Sequence, residues 1–592
     1  MYFYHNLAGS GHVLSYFLET MCSLSDLPPE VVVIVVTHLE VKELAVCSRV
    51  SRRLNAIVEN FYEQQFHLEL QLAGYVQPRN SRTDISTIGK LSILRNNQER
   101  WMTHSPSAQI QNLELYGTYD YSGISSDDEE PVFYGGVLAH WNATDDTPAT
   151  SLKLDLVQLQ SHNTGLSQKR WYIIEPMIPV TDYWFDQRQD LLVLLAVKHE
   201  VFEFHLRTLS KNESHPDAAH SGLLQLTART VPSTGDLSLQ FVGHFIFVHS
   251  PGNPGCIHGW DWTTGELQLD RQTGFGVSKD VVFLLDSVLV VPRLVSAIAS
   301  TNPPVAALDI YSLTSPSGVR LDMNIVATLK IVPPYTRPQH SDGPELALLY
   351  LQRSAGPIYQ PSHSRRSTFR GPPAVFEPDD AKRLILLRFN YEKYSSDISS
   401  FLILPLESVQ GAIETLGDQP GMHCQVAWEH WAAGTHWVYR LPVAYAISLG
   451  PTSQHMTSGT RMILPRIIEN GIKDHWQRED LVLDILDLDK SFMESHQNTR
   501  LRLGPHDHNA MIDSWVYYSK EDLVNSVASA YDEWMGGASY TTAPYAMSTF
   551  VHRDTKGLAY QEYLITWTDE EHLLFLKRNE LRMSCGIDVY TF

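Results

Sequence analysis

The feature that most constrains this chain is a long series of short apolar runs, each bounded by turn-forming residues. From about residue 108 onward, runs of about four to eight residues alternate with Gly, Pro, Asn, Asp and Ser, which is typical of an all-β body. Several runs come in pairs that an antiparallel hairpin would join: 191–197 with 201–206, 245–249 with 257–262, 288–291 with 306–311, 384–389 with 401–406, and 573–576 with 585–590.

The spacing of these pairs indicates radial repetition. In the central part their second members end about fifty residues apart, within the range of propeller blades. Residues 259–267, Gly-Trp-Asp-Trp-Thr-Thr-Gly-Glu-Leu, resemble the end of a WD-type blade, where a Trp-Asp pair ends an inner strand and a Thr-Gly turn follows. We predict one closed antiparallel propeller of about six to eight blades, with 585–590 in its closing sheet. A pair of unrelated β-sandwiches is the alternative.

A different pattern covers residues 24–70. Ser25 or Asp26 can cap a helix, and prolines are tolerated in its first turn. Three apolar sets then recur at helical spacing, although the valine run would also suit a buried strand: Val31, Val32, Val35, Val36 and Leu39; Val41, Leu44, Cys47 and Val50; and Leu54, Ile57, Val58, Phe61, Tyr62 and Phe66. Three short helices cannot bury all this surface, so part of it should face a partner.

The order Leu27-Pro28-x-Glu30, Leu39, Leu44 and Val50-Ser51-Arg52 resembles an F-box. In that family three helices dock on a Skp-type adaptor, which links them to a cullin–RING ubiquitin ligase. The chain departs from the family at Leu54, where tryptophan is frequent, and in its valine-rich first helix. The resemblance implies adaptor contacts at Leu27, Pro28, Glu30, Val31, Val35, Leu39, Val41, Leu44, Val50 and Leu54. The alternative is a three-helix subdomain that only packs on its own body.

Composition and net charge argue against several classes of binding partner and cellular location. The 592 residues carry a net charge of −22, which argues against nucleic acid and acidic membranes as general partners. No apolar run reaches the roughly eighteen residues of a membrane span, and residues 1–21 lack the basic start of a signal peptide. Five scattered cysteines without C-x-x-C spacing suit a reducing compartment. We expect a cytoplasmic or nuclear protein.

These patterns predict an α+β multidomain protein with four parts. They are an N-terminal extension over 1–23, the F-box over 24–70, a helical linker over 71–107, and the β body over 108–592. The linker should hold a helix from 86 to 101 with Leu91, Leu94 and Trp101 on one side. Two inserts interrupt the β body. We expect residues 125–130 to form an acidic loop that is either solvated or phosphorylated. Residues 336–380 should form a mobile loop, and its basic cluster could bind an acidic partner.

Catalytic motifs are missing from the sequence. It contains neither a Walker phosphate loop, nor His-Glu-x-x-His, nor Gly-x-Ser-x-Gly. His506-Asp507-His508 is the densest histidine cluster, but two histidines on a loop supply too few ligands for a metal. We therefore predict no metal, no cofactor and no enzymatic activity of its own.

The leading hypothesis is a substrate-recognition subunit of an SCF-type ligase, of the kind found among fungal F-box proteins with propeller-like C-terminal regions. The alternative is a propeller scaffold or hydrolase whose helices only cap the β body. Target contacts should lie on one open propeller face, with His258, Trp260 and Arg293 of blade-end turns as candidates. Trp260 could instead be a blade-packing residue, and the 336–380 loop is the other possible target site.

Overall fold

The architecture is that of a computed structural model. It describes residues 27–29, 31–32, 35, 39, 41–60, 62–78, 80–113, 131–141, 152–175, 178–219, 222–227, 237–250, 255–273, 281–285, 288–295, 305–314, 321–331, 346–353, 373–379, 382–391, 398–415, 424–431, 435–442, 457–458, 461–468, 480–487, 515–518, 545–552, 562–569, 571–578 and 584–592. The predictions for 1–23, 125–130 and 506–508 lie outside these residues.

Helices occupy the N-terminal part. Pro29, Val31, Val32 and Val35 are helical, and four complete helices follow: α1 Val41–Val50, α2 Arg52–Asn60, α3 Tyr62–Leu72 and α4 Thr87–Thr103. Within the β body lie α5 Leu406–Thr415 and α6 Trp428–Trp431. No helix in the described part of the chain is long and apolar enough to cross a membrane.

Two of the helical predictions can be compared directly with these bounds. The third predicted F-box helix covers two described helices, α2 and α3, on either side of residue 61, which lies outside the described residues. Leu54 and Ile57 of α2 pack with Val32, whereas Phe66 of α3 packs against α4, and a single helix over both stays a prediction. The linker helix is confirmed, since Leu91, Leu94 and Trp101 are buried on α4. The Ser86 hydroxyl accepts a hydrogen bond from the Gly89 amide at 3.3 Å, which caps its start.

Seven sheets of four or five strands make up the β body in the described residues. Sheet I contains β2 Ala108–Leu113, β30 Glu562–Thr568, β31 His572–Arg578 and β32 Ser584–Thr591; sheet II β3 Val132–Tyr134, β4 Val137–Trp141, β5 Leu152–Gln158 and β6 Lys169–Glu175; sheet III β7 Val180–Asp186, β8 Leu191–Lys198, β9 Val201–Thr208 and β10 Leu223–Thr227; sheet IV β11 Ser238–Val242, β12 Phe245–Ser250, β13 Gly255–Asp261 and β14 Glu266–Thr273.

Sheet V contains β15 Val282–Leu285, β16 Val288–Val295, β17 Val305–Thr314, β18 Asp322–Ile331 and β23 Cys424–Val426; sheet VI β19 Leu346–Arg353, β21 Leu384–Tyr391, β22 Ile398–Pro405 and β24 His436–Pro442; sheet VII β25 Thr457–Ser458, β26 Arg461–Ile468, β27 Asp480–Asp487, β28 Trp515–Tyr518 and β29 Tyr545–His552. A separate two-stranded ladder joins β1 Tyr75–Val76 to β20 Glu377–Pro378.

The strands pair as the sequence predicts. All five predicted run pairs are antiparallel neighbours, namely β8 with β9, β12 with β13, β16 with β17, β21 with β22, and β31 with β32. Neighbouring strands are antiparallel in every sheet, except that β23 pairs with β18 in parallel. A mainly antiparallel β body is therefore confirmed.

Successive sheets share apolar cores, which gives the body the layout of a propeller. Buried side chains join sheet I to II, II to III, III to IV, IV to V, and V to VI. Strand β21 of sheet VI also lies beside β25 of sheet VII. The blade number of a complete ring stays a prediction of about six to eight.

The two ends of the β body meet in sheet I. There β32, near the C-terminus, pairs with β31 on one side and with β2 on the other. The Ser107 amide also donates to the Thr591 carbonyl at 2.7 Å. The prediction that 585–590 belong to the closing sheet is confirmed, and this pairing covers an edge that would otherwise be exposed.

The mobile loop predicted over 336–380 is wrong for two of its parts. Residues 346–353 form β19 and pair with β21 in sheet VI. Residues 373–379, named the strap below, leave the β body and enter the helical region, where Val375 and Phe376 are fully buried. The prolines and the basic cluster of this segment obscured two short apolar runs. Pairing with β21 fixes the first run, and burial of Val375 and Phe376 fixes the second.

Candidate adaptor-binding surface and its connection to the β body

The F-box helices begin at Pro28, whose carbonyl accepts hydrogen bonds from the Val31 and Val32 amides at 3.0 and 3.1 Å. The Arg53 guanidinium of α2 donates to the Leu27 carbonyl and holds this start against α2. Pro28 itself is exposed, as expected for a ring in a first turn. The first helical residues and α2 therefore form one unit.

The described side chains of this unit share one apolar core. Val32, Leu54 and Ile57 are buried in it, and Leu27, Leu39 and Cys47 pack around them half-buried. The Leu54 side chain is turned into the helices rather than toward solvent. These three are the buried side chains among the described residues of the unit.

Four valines remain open on these helices. Val31 and Val35 are 40% and 38% exposed, and Val46 and Val50 on α1 are 59% and 71% exposed. Each pair is spaced i, i+4, so its members lie on one face of their helix. Covering such a side chain contributes on the order of 1 kcal/mol, and exposed apolar clusters commonly mark interaction sites.

Most predicted adaptor contacts can now be placed. Val31, Val35 and Val50 are open, Pro28 is exposed, Leu27 and Leu39 are half-buried and Leu54 is buried. Glu30 lies outside the described residues, and Val41 and Leu44 are known here only as parts of α1. Adaptor contact at each residue stays a prediction. Sequence reasoning missed Val46, although its i, i+4 spacing to Val50 was a usable signal.

The strap connects this helical region to the β body. Phe376 and Val375 pack among Phe66 and Leu70 of α3 and Leu91 and Leu94 of α4, and the Phe376 and Tyr75 rings lie 4.7 Å apart. Strand β20 of the strap pairs with β1. The chain segment that leads into sheet VI is therefore part of the core between α3 and α4.

Asn163 binds the strap from the other side. Its side-chain oxygen accepts from the Val375 and Phe376 amides at 2.9 and 3.0 Å, and its side-chain nitrogen donates to the Phe376 carbonyl at 2.8 Å. Asn163 follows β5 of sheet II and is itself buried. One amide side chain thus joins the sheet II loop to the strap and, through it, to the helices.

A buried ionic network fixes the same loop to sheet I. The Glu571 carboxylate accepts from the Ser161 hydroxyl and from the His162 and Asn163 amides, the last two at 2.9 Å. The His572 ring donates from Nδ1 to Asp569 at 2.9 Å and from Nε2 to the Gln160 carbonyl at 2.8 Å. Both ring nitrogens face acceptors, so the charged imidazolium fits this position.

The charge state of His572 follows from these partners. Burial by itself would lower the pKa of the ring, but the Asp569 carboxylate, Glu571 and the Gln160 carbonyl outweigh it and raise the pKa to about 9. Burial raises the pKa of Glu571, against the His572 charge and the three donated hydrogen bonds. The loop that positions Asn163 is therefore held by a charged histidine at neutral pH.

Helix α4 makes two further contacts with the β body. Its Trp101 ring stacks on Phe592 at 4.1 Å, and the Arg461 guanidinium of sheet VII lies 5.4 Å from the Trp101 ring centroid. With the strap, these contacts tie α4 to sheets I, II, VI and VII. The helical region and the β body are accordingly connected at several points rather than through one linker.

The predicted target residues lie in strands, so their placement in blade-end turns is wrong. His258 and Trp260 are buried in β13, with His258 Nδ1 3.2 Å from Asp270 and Trp260 packed on Phe204 of sheet III. Burial lowers the pKa of His258, while Asp270 opposes this shift. The structure therefore supports the blade-packing interpretation of Trp260.

Arg293 lies within β16 and is engaged in an ion pair. Its Nε donates to the Asp309 carboxylate at 2.6 Å, and the Thr328 hydroxyl donates to the same carboxylate at 2.6 Å. The hydrogen bond to Asp309 raises the pKa of Arg293 further. Arg293 therefore holds β16 to β17, and target contact at any of these three residues stays a prediction.

The turn after Trp260 has the geometry expected of a WD-type blade. The Asp261 carboxylate accepts hydrogen bonds from the Thr263 amide and hydroxyl at 3.0 and 2.6 Å. Gly265 has a φ of 75°, which glycine adopts without strain, and β14 begins at the next residue.

Among the described residues, no group of three or more His, Cys, Asp or Glu side chains could hold a metal ion.

Comparison with protein families gives one match, the F-box domain, over residues 24–64. This is the family whose members bind Skp-type adaptors in cullin–RING ligases. F-box domains and WD40-like propellers are typically non-catalytic interaction modules. The match includes the four open valines of the helical region.

Among solved structures, the chain resembles the C-terminal WD40 domain of Sif2 (10% identity, 82% of this chain and 98% of that chain, TM-score 0.29). It also resembles the uncharacterised protein lmo1340 of Listeria monocytogenes EGD-e (8% identity, 64% and 96%, TM-score 0.25) and Kluyveromyces lactis Hsv2 (9% identity, 37% and 72%, TM-score 0.20). No curated protein matches the chain. TM-scores this low do not establish a shared fold, so the propeller assignment rests on the strand order described above.

Proposed function

Because the chain is an F-box protein with a β-propeller-like C-terminal region, we propose that it is a substrate receptor of an SCF-type cullin–RING ubiquitin ligase. In this proposal the helices over 24–64 bind a Skp-type adaptor, and the β body binds the target. The observation that carries it is the set of open valines Val31, Val35, Val46 and Val50 inside the matched F-box.

The mechanism is proximity and needs no catalytic residue in this chain. A receptor raises the target's effective concentration near the ubiquitin-loaded enzyme if its two binding regions keep a fixed relation. The strap, the Asn163 hydrogen bonds and the Trp101–Phe592 stack support such a relation, because each joins the helices to the β body. We expect the complex in the cytoplasm, the nucleus or both, which a fluorescent fusion would test.

Adaptor capture tests the proposal. Charge introduced by the double variant Val46→Glu/Val50→Glu should abolish co-purification of a Skp-type adaptor, because carboxylates would be buried unpaired in the interface. Both side chains are exposed, so the unfolding temperature of the free chain should be unchanged.

A matched control is Ile88→Glu, which changes a 54% exposed apolar residue on α4, outside the matched F-box. It should bind the adaptor normally. If the wild-type chain fails to bind the adaptor, or if the double variant binds as well as Ile88→Glu, the receptor proposal is wrong. The remaining alternative would then be a propeller scaffold or hydrolase whose helices only cap the β body.

A further inference from the structure

Two large apolar side chains are exposed on the outer strand of sheet II. Tyr172 and Ile174 of β6 are 47% and 57% exposed, and they are the exposed large apolar residues among those side chains of the β body that the structure describes. Their neighbour Ile173 is 2% exposed and packs toward sheet III. Alternation along the strand therefore places Tyr172 and Ile174 together on the open face.

Two cations lie on the same face as these side chains, and a third lies on the opposite face of β6. Lys153 Nζ lies 5.4 Å and Arg170 Cζ 5.8 Å from the Tyr172 ring centroid, and Lys169 Nζ lies 5.4 Å from the neighbouring Trp171 ring. We name Lys153, Lys169, Arg170, Tyr172 and Ile174 the β6 patch. Cations over aromatic rings stay accessible on their outer side to an incoming anion.

The described residues do not fully neutralise the charge of the β6 patch. The nearby carboxylates Asp155 and Glu175 are buried, and they pair with Arg170 and Arg207 respectively. Within the described part of the chain, neither lysine has a carboxylate at ion-pair distance. Counted over the described residues, the patch thus carries surplus positive charge on a chain whose net charge is −22.

Strand β6 also offers backbone groups. It is the last strand of sheet II and pairs with β5 on its inner side, with no second neighbouring strand among the described residues. The Asn212 side chain donates to the Ile174 carbonyl at 3.3 Å and occupies one end of this edge. An edge of this kind can accept an extended segment as an added strand.

We propose that the β6 patch binds an acidic, extended segment of a partner protein, which adds to β6 as a further strand. Because side chains alternate along a strand, its carboxylates lie on the face of Lys169 and Trp171, and its apolar side chains on the other face cover Tyr172 and Ile174 beside Lys153. A protein segment fits better than nucleic acid because Ile174 offers no stacking surface and the strand edge offers peptide hydrogen bonds. That this partner is a degradation target rests on the proposed function.

The test uses the full chain and a labelled peptide of about eight residues that alternates Glu with Val, a typical strand length. Fluorescence anisotropy should show binding that weakens with added salt, and the matching Lys–Val peptide should not bind. The variants Lys153→Glu/Lys169→Glu and Tyr172→Ser/Ile174→Ser should each lose about tenfold or more in affinity, one through charge and one through apolar contact.

The control variant Lys198→Glu/Lys330→Glu carries the same charge change at two exposed lysines on sheets III and V, and its affinity should stay within about twofold. Equal affinity of the control and both patch variants would overturn the proposal, as would tighter patch-dependent binding of an oligouridylate than of the peptide. If the peptide binds the patch but no adaptor is captured, the site stands and the receptor function fails.

Discussion

Two helical regions of similar size differ in what covers them. Around Val32, Leu54 and Ile57, four valines remain open among the described side chains of the F-box helices. Between α3 and α4 the core includes Phe66, Leu91 and Leu94 and is completed by Val375 and Phe376 of the strap. In the described part of the chain, the first region leaves apolar side chains uncovered, whereas the second is completed by the chain's own β body.

The difference shows how one short helical segment can serve two purposes. Covering the open apolar surface of α1 lowers the free energy only when a partner binds, so this surface favours docking. The strap covers its apolar surface during folding, so that burial stabilises the folded chain and favours a fixed connection. Substitutions in the two regions should therefore affect different measurements.

The largest effect should come from Phe376→Ala in the strap. Removal of a fully buried phenylalanine costs about 3–5 kcal/mol, which should raise amide hydrogen exchange throughout α3 and α4. Phe376→Leu is the matched variant and should retain most of the protection. Unchanged exchange in α4 of Phe376→Ala would show that the strap does not support the helices.

The next effect concerns pH and His572. Its pKa of about 9 in the folded protein exceeds the ordinary value of 6.5, so the folded state retains a proton that the unfolded chain releases. This contribution, roughly 3 kcal/mol, is complete below about pH 6.5 and is lost as the pH rises through about 9. Denaturant unfolding from about pH 6 to about pH 10 measures it.

Asp569→Asn is the comparison for this measurement, because it removes the carboxylate that holds the His572 charge while keeping the side-chain size. Its stability should vary less over the same pH window. An identical slope for the wild type and Asp569→Asn would contradict the assignment of the pH dependence to His572.

A smaller effect is expected for Asn163→Ala. This change leaves the Val375 and Phe376 amides without their acceptor and should cost about 2 kcal/mol. We expect looser contact between the helices and the β body, measured as faster exchange of the strap amides with α1 and α2 unaffected. Faster exchange in α1 as well would mean that the two helical regions are not independent.

The smallest effect on folding should come from Val46→Ala/Val50→Ala. Both side chains are more than half exposed, so the free energy of unfolding should change by less than about 0.5 kcal/mol. Adaptor affinity should fall instead, measured by titration of the adaptor. A clear loss of stability with intact adaptor affinity would reverse the comparison between the two regions.

Local pattern in the sequence was sufficient for the strands, the linker helix and the F-box motif. The pairs β8–β9, β12–β13 and β31–β32 follow from apolar runs separated by turn residues, because hairpin partners are near in sequence. The α4 cap at Ser86 and its buried face follow from local signals as well.

The strap, the charge of His572 and the burial of His258 and Trp260 were decided by tertiary structure. Phe376 meets Tyr75 and Asn163 meets Val375 across more than two hundred residues, and no local periodicity encodes such partners. His572 is charged only because Asp569 and the Gln160 carbonyl converge on its ring once sheets I and II are adjacent. Sequence determines which segments are apolar, but only folding determines which distant segment covers them, because burial depends on what is adjacent in space.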